Sequence, residues 1–318
     1  MCLVALAIDQ SSRFPLVLAA NRDEFFQRAT ARLSWWSPGG GAPDILGGRD
    51  LEAGGTWLGL TAAGRLGLLT NVRRPSAVDP HAPSRGAIVP LWLRGDLPPD
   101  RFWMQVALSG HNPFNVIAAD FRRGECYWAS SEVPAPRRLE RGLYGLSNAS
   151  LDTPWPKVER LKGSMRDALA LSTSTDELSS HLFDALADRT FAPDPDLPQT
   201  GVPLELERQL SSAFILSPDQ RYGTRCSTLV VTERVNKRLV THVLERSFTA
   251  SSRVALLRRS SLQDWPPRYT VEGPAEVAVQ APVSESEETG SDELSAVLKR
   301  GRARGLLKPA VPRRRARA

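Results

Sequence analysis

No uninterrupted apolar run approaches the ~20 residues that a membrane helix requires, and the opening MCLVALAIDQ lacks a basic flank and meets Asp9 too early for a secretory signal. A soluble, cytoplasmic protein is expected. Cysteine is scarce: Cys2, Cys126 and Cys226 lie far apart and are odd in number, which gives no disulfide framework and fits a reducing compartment. The histidines, His81, His111, His181 and His242, have neither the i, i+4 spacing of a helical metal site nor a CxxC companion. No metal, covalently attached haem or other cofactor is therefore expected. Net positive charge is also scarce outside the end of the chain. The net charge is +6, but residues 294–318 carry nine Lys or Arg and no acid, and residues 271–293 carry seven acids and no base, which leaves +4 for residues 1–270. The basicity belongs to a tail, and no specific nucleic-acid partner follows from it.

What is present is enough to fold: 318 residues, 41% of them hydrophobic, can bury a full core. Residues 2–9 (CLVALAID) and 15–20 (PLVLAA) are β-prone runs joined by polar QSSR, the pattern of a hairpin buried on both faces. Further hairpins are expected from 57–60 with 66–71, from 114–119 with 125–129, and from 226–233 with 239–247, the last turned near Asn236. The Gly- and Pro-rich stretch 37–55 reads as a long ordered loop. Helical signals cover 84–93, capped by Ser84 and disturbed by Pro90, a run after a capping Asp100, and 157–171 and 175–187. Hairpins at both ends with helices between them predict an α+β fold of two stacked antiparallel sheets covered by helices. Residues 1–270 are expected to form one domain, and 271–318 an acidic-then-basic disordered tail with a short helix around 292–300.

Cys2 follows the initiator Met, so removal of Met1 leaves a thiol and a free α-amine on one residue. Their reference pKa values, near ~8.5 and ~8, let the amine take the thiol proton close to neutral pH, and an N-terminal amine can serve as base for its own nucleophile. The alternative is a small residue that merely starts a strand. With the first turn centred between Ser11 and Ser12, Cys2 pairs with Asn21, and Asn21-Arg22-Asp23-Glu24 arrives beside the terminus. Asp23 can then hold the α-ammonium, and Arg22 can lower the thiol pKa or bind an anion. The same logic sets Asn71 opposite Gly54 and Gly55, beside Trp57. Those glycines would permit close approach to a ligand, and the Asn71 amide can donate to a developing oxyanion. Asn71 and Asn148 read equally well as turn formers. Arg225 has three readings: a solvated charge, a buried ion pair, or a clamp for a substrate carboxylate.

Taken together, MC at the start, NRDE at 21–24, GGRD at 47–50, GGTWLG at 54–59, LTN at 69–71, YGLSNA at 144–149 and YGTRCSTLV at 222–230 closely resemble the NRDE family, also called the transport and Golgi organisation protein 2 family. That family is similar to the N-terminal-nucleophile hydrolases. The resemblance implies a four-layer αββα sandwich and, through its likeness to bile-salt hydrolases and penicillin V acylases, action on amide bonds. It implies Cys2 as nucleophile and base, Asp23 as orienter of its amine, Asn71 and Asn148 as oxyanion or positioning groups, and Arg225 as a stabiliser of the Cys2 neighbourhood. Asn21, Arg22, Gly54, Gly55 and Trp57 would meet the substrate. The family is also associated with secretory-pathway organisation, haem mobilisation and lipid or acyl-CoA homeostasis.

The leading expectation is a hydrolase of a small non-peptide C–N amide, working through a Cys2 thioester. Its rival is a non-catalytic carrier that holds haem or an acyl thioester such as acyl-CoA between the glycine loop and Trp35–Trp36. A third class, a phosphate-rich surface bound through Lys299–Arg317, competes with a plain solvated tail.

Overall fold

Alternation along the first strand decides which layer each side chain enters. In β1 (Cys2–Ile8), Val4 and Leu6 join one buried cluster while Leu3, Ala5 and Ala7 join another, as the two-residue repeat of a strand requires. The computed structural model describes residues 2–95, 97–251 and 253–267. The expected tail, with its short helix and the run Lys299–Arg317, lies outside the described residues.

One antiparallel sheet has six strands in the order β10 (Gly142–Leu146), β1, β2 (Leu16–Phe25), β11 (Tyr222–Val235), β12 (Arg238–Phe248), β13 (Val254–Gln263). The other has seven, in chain order: β3 (Thr30–Trp36), β4 (Ile45–Asp50), β5 (Leu58–Leu60), β6 (Arg65–Asn71), β7 (Phe114–Asp120), β8 (Glu125–Ser130) and β9 (Arg137–Arg138). The helices are α1 (Ile88–Leu93), α2 (Pro99–Ala107), α3 (Pro156–Leu171), α4 (Thr175–Leu186) and α5 (Leu204–Gln209).

Three separate cores give the layer order. Leu6 and Leu18 of the first sheet meet Leu46, Leu60 and Leu68 of the second in the central core. Leu3 and Val17 pack outward on Val158 of α3 and Leu182 of α4. Ile45 and Val116 pack outward on Trp92 of α1 and Phe102 of α2. The molecule is an α+β sandwich of four layers, αββα. Each fully buried Leu, Val or Phe contributes about 1.5–3 kcal/mol of apolar transfer, which is why both sheets read as nearly unbroken hydrophobic runs.

The four expected hairpins are present, and several details differ. Cys2 pairs with Arg22 and Leu3 with Asn21, one residue away from the expected pairing of Cys2 with Asn21. The turn is centred on Ser12 and closed by Asp9 N–H donating to Pro15 O at 2.7 Å, with Asp9 in the left-handed region. A slip of one residue exchanges the two faces of a strand, so Asn21 joins the helix side and Arg22 the space between the sheets. β2 also continues through Phe25, which makes Asn21-Arg22-Asp23-Glu24 strand residues.

The stretch 37–55 is not wholly loop. It contains β4, paired to β3 on one side and β5 on the other, and the glycines of ILGGRD carry no side chain that would announce the alternation. Asp100 lies in the first turn of α2 rather than capping it, because Pro98 precedes the helix and Pro99, with its fixed φ, opens it. Ser84 does cap, accepting from Gly86 N at 3.2 Å, but over a short 3-10 turn that leads into α1. The first sheet continues past the fourth hairpin into β13 and Trp265, which is 1% exposed. Among the described residues, no helix is long and apolar enough to cross a membrane.

Candidate functional site

The end of β2 sends consecutive side chains to different places. Asn21 is buried on the helix side: its Nδ2 donates to Leu186 O and Ala213 O, both at 2.8 Å, and its Oδ1 accepts from Ser227 Oγ at 2.6 Å. Those bonds staple the sheet to the end of α4, so this amide is a structural group away from the cleft described below. Arg22 is 6% exposed and stacks over the ring of Trp57 at 4.3 Å, with Asp50 Oδ2 at 3.5 Å and Glu24 Oε2 at 3.7 Å. Trp57 can lie flat there because Gly48 has no side chain; a Cβ would fall 2.3 Å from the ring. Asp23 is 1% exposed and accepts from Thr224 Oγ1 at 2.7 Å. Burial pushes its pKa above the ordinary value, against the opposing positive charges of the amino terminus, Lys157 and Arg22 and the Thr224 hydrogen bond.

Arg22, Asp23, Asp50, Trp57, Asn71 and Arg85 line a common cleft of about 230 Å³. Asp50 supports its floor. Its Oδ1 accepts from the backbone of Glu52 and Ala53, and its Oδ2 from Arg28 Nε at 2.7 Å. Burial alone would raise the Asp50 pKa, but the Arg28 hydrogen bond, the Ala53 N–H and the charges of Arg28 and Arg22 outweigh it and hold the carboxyl below its usual range. Cys2 opens β1 opposite Arg22, so its backbone stands at the same end of the sheet as these groups.

Asn71 ends β6 on the cleft wall, and Asn148 stands behind it, donating from Nδ2 to Asn71 O at 2.8 Å. The Asn148 segment is itself fixed: Arg73 N donates to Asn148 O, Thr70 Oγ1 to Ser147 O, and Asn115 Nδ2 to Ala149 O, at 2.7, 2.8 and 2.9 Å. Asn148 is therefore 1% exposed and holds the end of β6. The β5–β6 register, Leu58 with Leu68, carries on to Leu69 N donating to Trp57 O, and then the chains part. Asn71 consequently pairs with Phe114 of β7 rather than with Gly54 or Gly55. Those two glycines line a different pocket, on the outer face of the second sheet. Gly55 is pressed against the Gly86 carbonyl, where a Cβ would lie 1.9 Å from the oxygen, so its missing side chain admits protein backbone.

Arg225 occupies the bulge of β11 between Thr224 and Cys226. Its Nη1 donates to Phe25 O at 2.6 Å and Arg28 O at 3.0 Å, closing the turn that presents Arg28 to Asp50. Burial, then the charge of Arg22, lowers its pKa. Among the described residues Arg225 has no carboxylate in ion-pair range, and one nitrogen of its guanidinium binds backbone carbonyls instead. Cys126 and Cys226 are buried thiols that are not joined in a disulfide, and burial pushes Cys126 up to about 12.

Sequence reasoning passed over Asp50, Arg28, Arg73 and Lys157. GGRD did mark Asp50, but nothing local tied it to Arg22. Arg73 pairs with Glu207 of α5 and stacks over Trp155, and Lys157, 2% exposed, donates to Leu210 O at 2.9 Å. No motif in the sequence singles out either residue.

The sequence model of the Transport and Golgi organisation 2 family matches residues 1–250. The chain belongs to this family. Among family relatives, the Transport and Golgi organization 2 homolog of Mus musculus and that of Homo sapiens are each 34% identical over 249 residues, covering 73% of this chain and 89% of theirs. The Transport and Golgi organization protein 2 of Drosophila melanogaster is 29% identical over 272 residues, covering 78% and 93%. Among solved structures, a C2A mutant of the conjugated bile acid hydrolase from Clostridium perfringens superposes with a TM-score of 0.43 at 10% identity, over 82% of this chain and 92% of that one. A likeness that distant carries no argument about chemistry, so the family site must be read from its own groups. They comprise a buried carboxyl, a stacked guanidinium, an amide-lined wall and the start of β1 at one end of the sheet, a set able to bind a polar acyl compound and to move a proton.

Proposed function

We propose that the protein is an N-terminal-nucleophile amidohydrolase that cleaves a small non-peptide C–N amide through Cys2 after removal of Met1. The observation that carries this reading is Asp23: a carboxyl 1% exposed, fixed by Thr224, beside the strand position opposite Cys2 and under the influence of the amino-terminal positive charge. A carboxyl is rarely buried so fully without a partner of opposite charge.

In the proposed reaction the Cys2 α-amine takes the thiol proton and the thiolate attacks the amide carbon. The carbonyl oxygen becomes an oxyanion that accepts from the Asn71 amide. The C–N bond breaks, the α-ammonium returns its proton to the leaving amine, and a thioester remains on Cys2. Water, deprotonated by the same amine, releases the acid and regenerates the thiol. Asn148 positions Asn71, Arg22 binds an acidic or polar acyl group against Trp57, and Asp23 holds the ammonium. Reduced Cys126 and Cys226 fit a cytoplasmic setting for this chemistry.

The test is N-terminal mass spectrometry together with acyl-amide and acyl-thioester profiling of wild type against Cys2→Ser and Cys2→Ala. Expected are loss of Met1, an acyl adduct of Cys2 on rapid quenching, and no turnover in Cys2→Ala. Retained Met1 or a blocked Cys2 amine in active protein would refute the mechanism. Haemin affinity unchanged by Cys2→Ala, with no hydrolysis of any acyl compound, would instead favour the carrier of haem or acyl thioester.

A further inference from the structure

Strand β4 serves two sites on opposite faces. Its alternation sends Leu46 to the central core and Asp50 to the cleft, while Ile45 packs among the outer helices and Arg49 lines the outer pocket against α1. That pocket, of about 340 Å³, lies between Trp36, Arg49, Gly54, Gly55, Leu91 and Arg94. The Gly55–Gly86 contact walls it off from the cleft, since Gly86 and Thr56 line the cleft and Thr56 N donates to Gly86 O at 3.2 Å.

We propose that this outer pocket is a second binding site, for a small organic oxyanion: a carboxylate or phosphate carried on a compact apolar body. The inference goes beyond the amidohydrolase reading and holds whether or not Cys2 turns over a substrate.

Three observations carry it. Arg49 and Arg94 both face the pocket, and among the described residues neither has a carboxylate in ion-pair range, whereas Arg28, Arg65 and Arg73 each have one. Arg49 Nε and Trp36 Nε1 are buried and lack an acceptor among the described residues. Both atoms are donors only, as are the remaining guanidinium nitrogens of Arg49 and Arg94, so the wall offers hydrogen-bond donors and positive charge and suits an anion rather than a cation. Finally, Arg49 lies over the ring of Trp36 with its Cζ 4.8 Å from the centroid, a contact that favours one placement of the guanidinium before a ligand arrives, and Leu91 with Pro38 and Pro90 supplies an apolar bed. A volume of 340 Å³ sits at the small end of the roughly 300–1,000 Å³ usual for ligand sites. A single ring with one oxyanion suits it better than a flat macrocycle.

The experiment is titration of the full chain with benzoate and with phenyl phosphate, read by calorimetry and by the NMR resonance of the Trp36 indole N–H, assigned with Trp36→Phe. Inorganic phosphate and the neutral benzyl alcohol are the comparison probes. At least one aromatic anion should shift the indole resonance and bind more tightly than either comparison probe, and which one does so separates carboxylate from phosphate. Its affinity should fall about tenfold or more in Arg49→Gln and in the exposed Arg94→Gln, and recover in part in Arg49→Lys. Arg94→Gln carries the test if Arg49→Gln melts early, and Cys2→Ala should bind as wild type does, which keeps this outcome independent of catalysis. Equal binding of benzyl alcohol, no loss of anion affinity in either glutamine variant, or no binding of either anion at millimolar concentration would overturn the proposal. Inorganic phosphate binding as tightly as phenyl phosphate would overturn the apolar half of the ligand.

Discussion

Asp23 feels two opposed influences on one proton, and their balance has a sign. Burial raises its pKa above 3.8, and nearby positive charge only partly offsets this. The folded protein thus keeps the proton to a higher pH than the unfolded chain does. The stability associated with it is complete below the unfolded value and is lost as pH rises through the folded one. Asp23→Asn should flatten that part of a urea-stability profile taken from pH 3 to 7. Under the proposed mechanism only ionised Asp23 can hold the ammonium, so hydrolysis should show an acid limb above the ordinary carboxylate range. Asp23→Asn should abolish the limb and lower the rate by at least about a hundredfold. Superimposable profiles for both proteins would mean that burial does not act on this group. The motif NRDE could be seen in the sequence, but the division of labour within it could not. Asn21 ties down a helix end and Arg22 stacks on Trp57 because a turn centred on Ser12 set the register.

At the scale of elements, β3 joins the two sheets through an irregularity. Its pairing with β4 shifts between Ala31 and Ser34, which releases the backbone of Leu33 from its own sheet. Glu245 Oε1 then accepts from Leu33 N, and Arg258 Nη1 donates to Leu33 O, both at 2.9 Å. These two residues are cross-strand partners on β12 and β13, so one pair from the first sheet satisfies both polar groups of a residue in the second. Burial raises the Glu245 pKa in spite of its hydrogen bonds, and its stabilising share is lost as pH rises through the folded value. Glu245→Gln keeps an acceptor without the charge and is expected to match or exceed wild-type stability at pH 7. Glu245→Leu leaves a buried N–H unsatisfied and should cost about 1–3 kcal/mol. Thermal unfolding of the two variants at pH 5 and pH 7 measures both, and equal loss in each would show that the charge rather than the acceptor matters. Strands such as β1 and β7 were plain from their apolar runs. β4 and β13 were not: glycine blanks the pattern in one, and the exposed Arg258 and Arg259 break it in the other.

For the whole molecule, the family match ends at residue 250 but the core does not. Trp265 is 1% exposed, its Nε1 donates to Thr61 O at 2.9 Å, and its own carbonyl accepts from Thr241 Oγ1 at 2.6 Å. A chain ended after residue 270 is expected to melt with the full-length protein. One ended after residue 250 loses β13 and Trp265, and should be destabilised by about 3–5 kcal/mol for the aromatic alone. A drop in melting temperature for the longer truncate would contradict the assignment of residues 271–318 to a dispensable tail. Class, family, four of the hairpins and the motifs that bring Arg22, Asp23 and Asn71 to the cleft were legible in the order of residues, because periodicity and short motifs are local properties. Which face each group occupies, that Asn148 serves Asn71, that Arg225 binds carbonyls, and that Gly54 and Gly55 belong to a separate pocket all depended on register and on contacts between residues far apart in the chain. One residue in a turn reverses every facing after it, and no local pattern in a single sequence encodes which distant strand will supply the partner.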